Sequence, residues 1–146
     1  MLRGLMRLSK CADEKICRYA NCRHQKSSIK NYQMEKDNLI VNLTFQFSLD
    51  IIVFTEQLQQ MKKYNMANQL FRSGTSIGAN VREAQGCESK ADFVHKMKIA
   101  YKEAEETSYW LELCSKSINY PNPGKLSKDI LSILKVLGKI ISTSKN

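Results

Sequence analysis

The sequence predicts an all-α protein, an antiparallel up-down four-helix bundle that follows a basic N-terminal extension, itself disordered or only marginally folded. The chain of 146 residues contains only two prolines and six glycines, whereas all-β chains usually need many turn residues. After about position 40, apolar residues recur at steps of three and four over four long stretches, which is the helical period. Short connections between the first three stretches imply antiparallel neighbours.

The N-terminal extension differs from the rest of the chain in charge. Residues 1–33 carry eight basic and two acidic side chains, and so hold +6 of the formal net charge of +9. Cys11, Cys17, Cys22 and His24 lie there, but they lack the paired Cys-x2-4-Cys hooks of structural zinc sites. We therefore predict no metal site and five reduced thiols. The predicted boundary separates residues 1–37 from a bundle domain at 38–146, with a natural start at Met34 as a hypothesis.

The first predicted helix runs from about Leu43 to Tyr64 and carries two apolar stripes. It has more apolar surface than one antiparallel neighbour can cover. Central packing inside its own bundle and a subunit interface explain this excess equally well. The stripe predicted to face the core is Phe47, Ile51, Phe54, Leu58 and Met61, and the second stripe is Phe45, Leu49 and Ile52.

The second predicted helix, Met66 to Gln85, has small residues at its centre, from Ser73 to Asn80. Two glycines in a helix interior each cost about 1 kcal/mol relative to alanine. Close approach of a neighbouring helix would offset that cost. A phosphate-binding loop is the alternative, but the segment does not end in the Gly-Lys-Ser/Thr of a P-loop. We therefore predict helix packing here.

The third and fourth predicted helices have clear boundary signals. Gly86 suits a helix end, and Ser89 with Asp92 resembles an N-terminal cap, so the third helix should run from Lys90 to about Ser117. A segment with two prolines and Gly124 then interrupts the helical pattern. The fourth helix should run from about Lys125 to Ser142, with outward positions at Lys128, Ser132, Lys135 and Lys139.

The sequence does not predict catalysis. No Glu-x-x-His pair of a di-iron bundle occurs, and His95 is the only histidine after the extension. We expect Cys87 to be a loop thiol and Cys114 a small core residue. The longest aliphatic and aromatic run, Ile51 to Phe54, is far shorter than the about 20 residues of a membrane span. A cytoplasmic protein without cofactor, metal or small-molecule substrate is therefore expected.

Basic residues of the second and third helices are candidates for nucleic-acid contact, because Lys and Arg that neutralise phosphates release counterions. Acidic residues are interleaved with them, so a merely solvated face is the alternative. Tyr109 and Trp110 lie nearby and could stack on unpaired bases or be buried at an oligomer interface. The candidate residues are Arg72, Arg82, Lys90, Lys96, Lys98 and Lys102.

The centre of the bundle sequence resembles a known bacterial family. The matching segments are residues 71–84 (FRSGTSIGANVREA), 89–93 (SKADF) and 102–113 (KEAEETSYWLEL). They are similar to the four-helix bundle proteins encoded in intervening sequences of 23S ribosomal RNA, a family related to the accessory protein of diversity-generating retroelements. The resemblance covers roughly residues 38–142.

This resemblance implies a non-enzymatic bundle that assembles into a homopentameric ring and, in the retroelement branch, binds nucleic acid and a reverse transcriptase. It also implies that Asn80, Glu83 and Glu103 tie the second and third helices together by hydrogen bonds. The bundle is less basic than the retroelement branch. Our first prediction is an RNA-associated oligomer, and the alternative is a protein-interaction scaffold that binds no nucleic acid.

Overall fold

Four helices make up the part of the protein that the structure, a computed structural model, describes, residues 38–144. Each helix packs against its neighbour in sequence, and the last also packs against the first. These contacts are those of an up-down bundle, and residues 38–144 contain no strand, so the predicted all-α fold is confirmed. The helices are α1 (Leu39–Gln60), α2 (Tyr64–Gln85), α3 (Lys90–Lys116) and α4 (Gly124–Thr143).

The hypotheses about the N-terminal extension lie outside the described residues. They concern the zinc-like spacing of its cysteines, its lack of order and the start at Met34. The boundary between residues 1–37 and 38–146 stays a prediction for the same reason.

The boundary between α1 and α2 differs from the predicted one. We expected the first helix at Leu43 to Tyr64, but it begins four residues earlier and ends at Gln60. Lys62 adopts a left-handed backbone with φ of 61°, and the amide of Lys63 donates to Leu58 O at 2.9 Å. This arrangement is a common way to end a helix. It leaves Tyr64 as the first residue of α2.

The predicted boundary between α2 and α3 is confirmed. The hydroxyl oxygen of Ser89 accepts a hydrogen bond from the Asp92 amide at 3.1 Å, which satisfies one of the unpaired N–H groups at the start of α3. Gly86 follows the last residue of α2, as expected. Ser89 thus fixes where the long third helix begins.

The core lies between all four helices and matches most of the predicted inward stripes. The exception is Met61. Because α1 ends at Gln60, Met61 lies beyond the helix and is 42% exposed. Cys114 is buried and Cys87 is half-buried, as expected of a core residue and a loop thiol. The largest buried side chains include Phe47, Ile51, Leu58, Leu70, Ile77, Met97, Leu111, Ile130, Ile133 and Leu137.

The two central glycines of α2 lie where α2 packs closely against α1. A Cβ atom on Gly74 would lie 2.9 Å from both Cγ1 and Cγ2 of Ile51, and one on Gly78 would lie 3.1 Å from Ser48 Oγ. Any side chain at these positions would meet α1. The predicted role of the glycines in helix packing is therefore confirmed, and the segment is helical rather than a phosphate-binding loop.

Helix α1 is more apolar than we expected of any segment. We predicted that no segment could cross a membrane, but this 22-residue helix meets the length and composition for it, with a mean hydropathy of 1.4. The criterion of an uninterrupted apolar run was too strict, because the polar residues that interrupt α1 are mostly uncharged. Part of its apolar surface forms the core of the bundle.

Candidate functional site

A buried pair of hydroxyl groups joins α2 to α3. Thr107 Oγ1 lies 2.9 Å from Ser73 Oγ and 2.7 Å from Glu103 O of its own helix, so its single proton is shared between these two acceptors. Ser73 Oγ donates to Gln69 O at 3.0 Å. Thr107 is fully buried and Ser73 is 1% exposed. Buried hydroxyls need such partners because desolvation without one is costly. The pair is a polar contact buried between the two helices, and the sequence pattern alone did not indicate it.

A double-mutant cycle should detect this pair. We expect Ser73→Ala and Thr107→Val to couple by about 0.5–1.5 kcal/mol in the free energy of unfolding, because each removes the same buried hydrogen bond. Chemical denaturation of the two single variants and the double variant measures the coupling. Ser73→Ala with Thr75→Val is the matched control, since the Thr75 hydroxyl bonds to Phe71 O of its own helix. Additive effects of Ser73 and Thr107 would show that their contact carries no energy.

The other polar residues expected to tie α2 to α3 have different partners. Lys96 Nζ of α3 donates to Glu83 Oε2 of α2 at 2.5 Å, so Glu83 does bridge the helices. Asn80 Nδ2 instead donates to Ser76 O at 2.9 Å, one turn earlier in its own helix. The bridge from Asn80 that the resemblance implied is therefore replaced by an intrahelical bond. Because the Glu83–Lys96 pair is exposed, we expect its contribution to stability to be small.

Glu103 lies half-buried on α3, and the pKa of its carboxyl group is shifted. Burial and, secondarily, the charge of Glu106 raise the pKa of Glu103 above its ordinary value of 4.5, while Arg72 acts in the opposite direction. Burial disfavours the charged form of the carboxyl group. Glu103 thus lies close enough to Arg72 of α2 for their charges to interact, and this interaction spans the two helices.

The Glu103 carboxyl should make stability depend on pH. A raised pKa in the folded state means that its stabilising contribution is complete below pH 4.5 and is lost as pH rises through the folded pKa. We therefore expect Glu103→Gln to gain stability relative to wild type between about pH 4 and pH 7. Urea denaturation of both proteins at the two ends of this range measures the difference. An equal gain in Glu105→Gln, an exposed position of the same helix, would contradict the assignment to Glu103.

The six basic residues predicted to contact nucleic acid have different neighbours in the structure. Arg72 interacts with Glu103 of α3, whereas the guanidinium of Arg82 lies 5.1 Å from the ring centroid of Phe45 on α1. Lys96 pairs with Glu83. Three of the candidates thus each interact with a different helix neighbour, and their use as phosphate contacts stays a prediction. The remaining three, Lys90, Lys98 and Lys102, are exposed on α3.

The outer side of α1 presents a continuous apolar surface. Phe45, Leu49 and Val53 are 46%, 42% and 67% exposed, respectively. Their four-residue spacing places them on one face of the helix, opposite the core. Phe71 of α2, 47% exposed, shares a helix face with Gly74 and so lies beside α1. We call this surface the outer apolar face, and its residues are Phe45, Leu49, Ile52, Val53 and Phe71.

The comparisons with known proteins agree with this fold. The model of the family described as 23S rRNA-intervening sequence protein matches residues 36–142. The chain belongs to this family. A crystal structure from Bacteroides thetaiotaomicron, of a protein of unknown function from the S23 ribosomal protein family, is 39% identical, with a TM-score of 0.66. The match covers 70% of this chain and 98% of that chain. A search of curated proteins gave no match.

Three observations on the described residues bear on catalysis. A cleft of about 190 Å³ opens at the turn between α1 and α2, which is smaller than the roughly 300–1,000 Å³ of typical small-molecule sites. Burial raises the pKa of the Cys114 thiol to about 11, which suppresses the nucleophilic thiolate. In residues 38–144, no group of three or more His, Cys, Asp or Glu side chains could hold a metal ion.

Proposed function

We propose that the protein is a non-enzymatic, self-associating helical bundle that associates with RNA in the cytoplasm. The outer apolar face is the observation that carries the proposal. Contiguous exposed apolar surfaces of this kind mark interaction sites in proteins that function in water. Aromatic residues with few charges are typical of the buried centre of protein interfaces.

A second copy of the chain is the occupant that we assign to this face. Within α1 only Asp50 and Glu56 are charged, and Asp50 already pairs with Lys125 at 2.5 Å. Glu56 follows Val53 by three residues and so lies at one end of the face, and the Arg82 guanidinium lies over Phe45 at the other end. Between these two charges the face offers shape and apolar area rather than a charge pattern that would select a particular foreign partner. Self-association is also what the family resemblance implies, with a pentameric ring as the expected stoichiometry.

The RNA part of the proposal has two supports. The family is described by its link to 23S ribosomal RNA, and the similar crystal structure is assigned to the S23 ribosomal protein family. The chain has a formal net charge of +9, of which residues 34–146 hold +3, and a positive charge favours binding to polyanions. The sequence predicts phosphate contact at Arg72, Arg82, Lys90, Lys96, Lys98 and Lys102.

One preparation of the full-length protein tests both parts. Size-exclusion chromatography with light scattering gives the mass of the assembly, and the ratio of absorbance at 260 nm to that at 280 nm reports nucleic acid that co-purifies. We then expect retention of a structured RNA that weakens as salt rises. A monomer at micromolar concentration would overturn self-association. An oligomer that binds no RNA at low salt would overturn the RNA part and favour the alternative scaffold function.

A further inference from the structure

The outward side of α4 carries a row of lysines that no described residue neutralises. Lys128, Lys135 and Lys139 are separated by seven and four residues and are all exposed. With a rise of 1.5 Å per residue, the row extends about 16 Å along the helix. Spacings of four and seven residues keep side chains on the same face. The row is therefore continuous along α4.

The acidic groups near α4 lie at its N-terminal end, where they pair with Lys125. Asp129 is the one acidic residue of α4, and its carboxylate lies 3.7 Å from Lys125 Nζ. Lys125 also pairs with Asp50 of α1. Within residues 38–144, no carboxylate forms a salt bridge with the three lysines of the row. Their positive charge remains available to an external anion.

Helix α3, unlike α4, carries as many acidic residues as lysines. Its 27 residues contain five lysines and five acidic residues, so the helix has no net charge apart from His95. Two of its lysines are engaged, since Lys96 pairs with Glu83 and Lys116 with Glu112. A phosphate chain that approached α3 would also meet carboxylates. The lysine row of α4 is thus the better complement to a polyanion.

We propose that Lys128, Lys135 and Lys139 form the surface that contacts the phosphate backbone of RNA. This inference rests on the proposed RNA association and assigns its location to α4 rather than to α2 and α3. Lysines contact phosphates as flexible point charges and read no base sequence. The binding is therefore independent of base sequence and steeply dependent on salt. It leaves the outer apolar face, on α1 and α2, available for self-association.

The burial pattern of α4 favours a nucleic acid over an anionic membrane surface. A helix that binds a membrane interface inserts an exposed apolar side between the lipid headgroups. The apolar side of α4 is instead in the core, where Leu126, Ile130 and Leu137 are at most 5% exposed. Leu131, at 54%, is the one large apolar residue that α4 exposes strongly. The helix offers charge at its surface without an apolar side to insert.

The test compares full-length wild type with Lys128→Gln/Lys135→Gln/Lys139→Gln by fluorescence anisotropy on a labelled RNA hairpin over a range of KCl concentrations. Each lost phosphate contact reduces the slope of log K against log salt by about 0.7–0.9. We expect the slope to fall by roughly 2 and the affinity at low salt to fall at least about 10-fold. The N-terminal extension is the same in both proteins and cancels in the difference.

A matched variant removes three positive charges from lysines outside the row. Lys62→Gln/Lys116→Gln/Lys125→Gln changes three exposed lysines, two of which are already ion-paired, and should leave the slope unchanged. An equal loss in this variant would assign the effect to net charge and overturn the inference. All the substituted side chains are exposed, and circular dichroism verifies that each variant is folded.

Three further outcomes each contradict a different claim. If Lys90→Gln/Lys98→Gln/Lys102→Gln reduces the slope and the α4 variant does not, RNA association stands but its location on α4 is wrong. If wild type does not bind the hairpin at low salt, the proposed RNA association itself fails. Binding to phosphatidylserine vesicles that depends on the lysine row, without RNA binding, would assign the row to lipid.

Discussion

Gly74→Ala is expected to lower the free energy of unfolding by about 1–2 kcal/mol, and Gly74→Val by about 3 kcal/mol or more. The new Cβ would lie 2.9 Å from two carbon atoms of Ile51. Both of these carbons are bonded directly to the Ile51 Cβ, so rotation about χ1 cannot move both away. Ile51 is fully buried and has no space to shift into. The overpacking therefore exceeds the gain in helix propensity.

The measurement is urea denaturation with Gly138→Ala as the control. Gly138 lies inside α4, and a Cβ there would meet the Tyr101 ring at an ordinary 3.8 Å. This variant should gain up to about 1 kcal/mol from helix propensity alone. The two substitutions are chemically identical, so their opposite signs isolate the close approach of α1 and α2. A gain of stability in Gly74→Ala would show that the helices can separate at little cost.

The small residues of α2 show which part of the helix packing could be predicted from the sequence. The energetic cost of glycine in a helix indicated that another helix must come close, and the structure confirms this. The partner residue could not be predicted, because the period within one helix contains no information on its register against another. Ile51, Ser48 and Thr44 contact the glycines through a register set by all the packed side chains together.

The helix boundaries also include some that the sequence indicates and some that it does not. Ser89 could be identified because its side chain forms a cap that is local in sequence. Asn38 precedes α1 but makes no side-chain cap, so no local signal marked the start at Leu39. At the other end, Lys62 takes a left-handed conformation that a lysine seldom adopts. The turn there was therefore not visible in the sequence.

The candidate site was predictable in composition and not in arrangement. The sequence identified the basic residues of α2 and α3, but the contacts of Lys96 with Glu83 and of Arg82 with Phe45 depend on helix register. The outward position of Lys128 and its neighbours on α4 was readable from the period. Their significance required knowledge of where the carboxylates lie, since only the folded chain shows that Asp50 and Asp129 both lie beside Lys125.

Leu49→Lys/Val53→Lys is expected to convert the assembled protein into a monomer. Both side chains are exposed in the isolated bundle, so lysine is tolerated there and the fold should persist. In an assembly through the outer apolar face they would be buried. Fully burying an apolar side chain of this size stabilises by about 1.5–3 kcal/mol. Assembly can bury only the exposed fractions of Leu49 and Val53, so the two losses together weaken association by roughly 10- to 100-fold. Placing a lysine charge in the interface adds to this loss.

Light scattering of the eluting protein measures the change, and Ile118→Lys/Leu131→Lys provides the control. These residues are also exposed and apolar, at 87% and 54%, but they lie after α3 and on α4. The control adds the same two charges, so it reproduces any general effect of repulsion between copies. If the control dissociates as well, charge rather than the outer apolar face governs assembly. If both variants remain assembled, the copies associate through another surface. The exposed apolar residues of α1 then require a different partner.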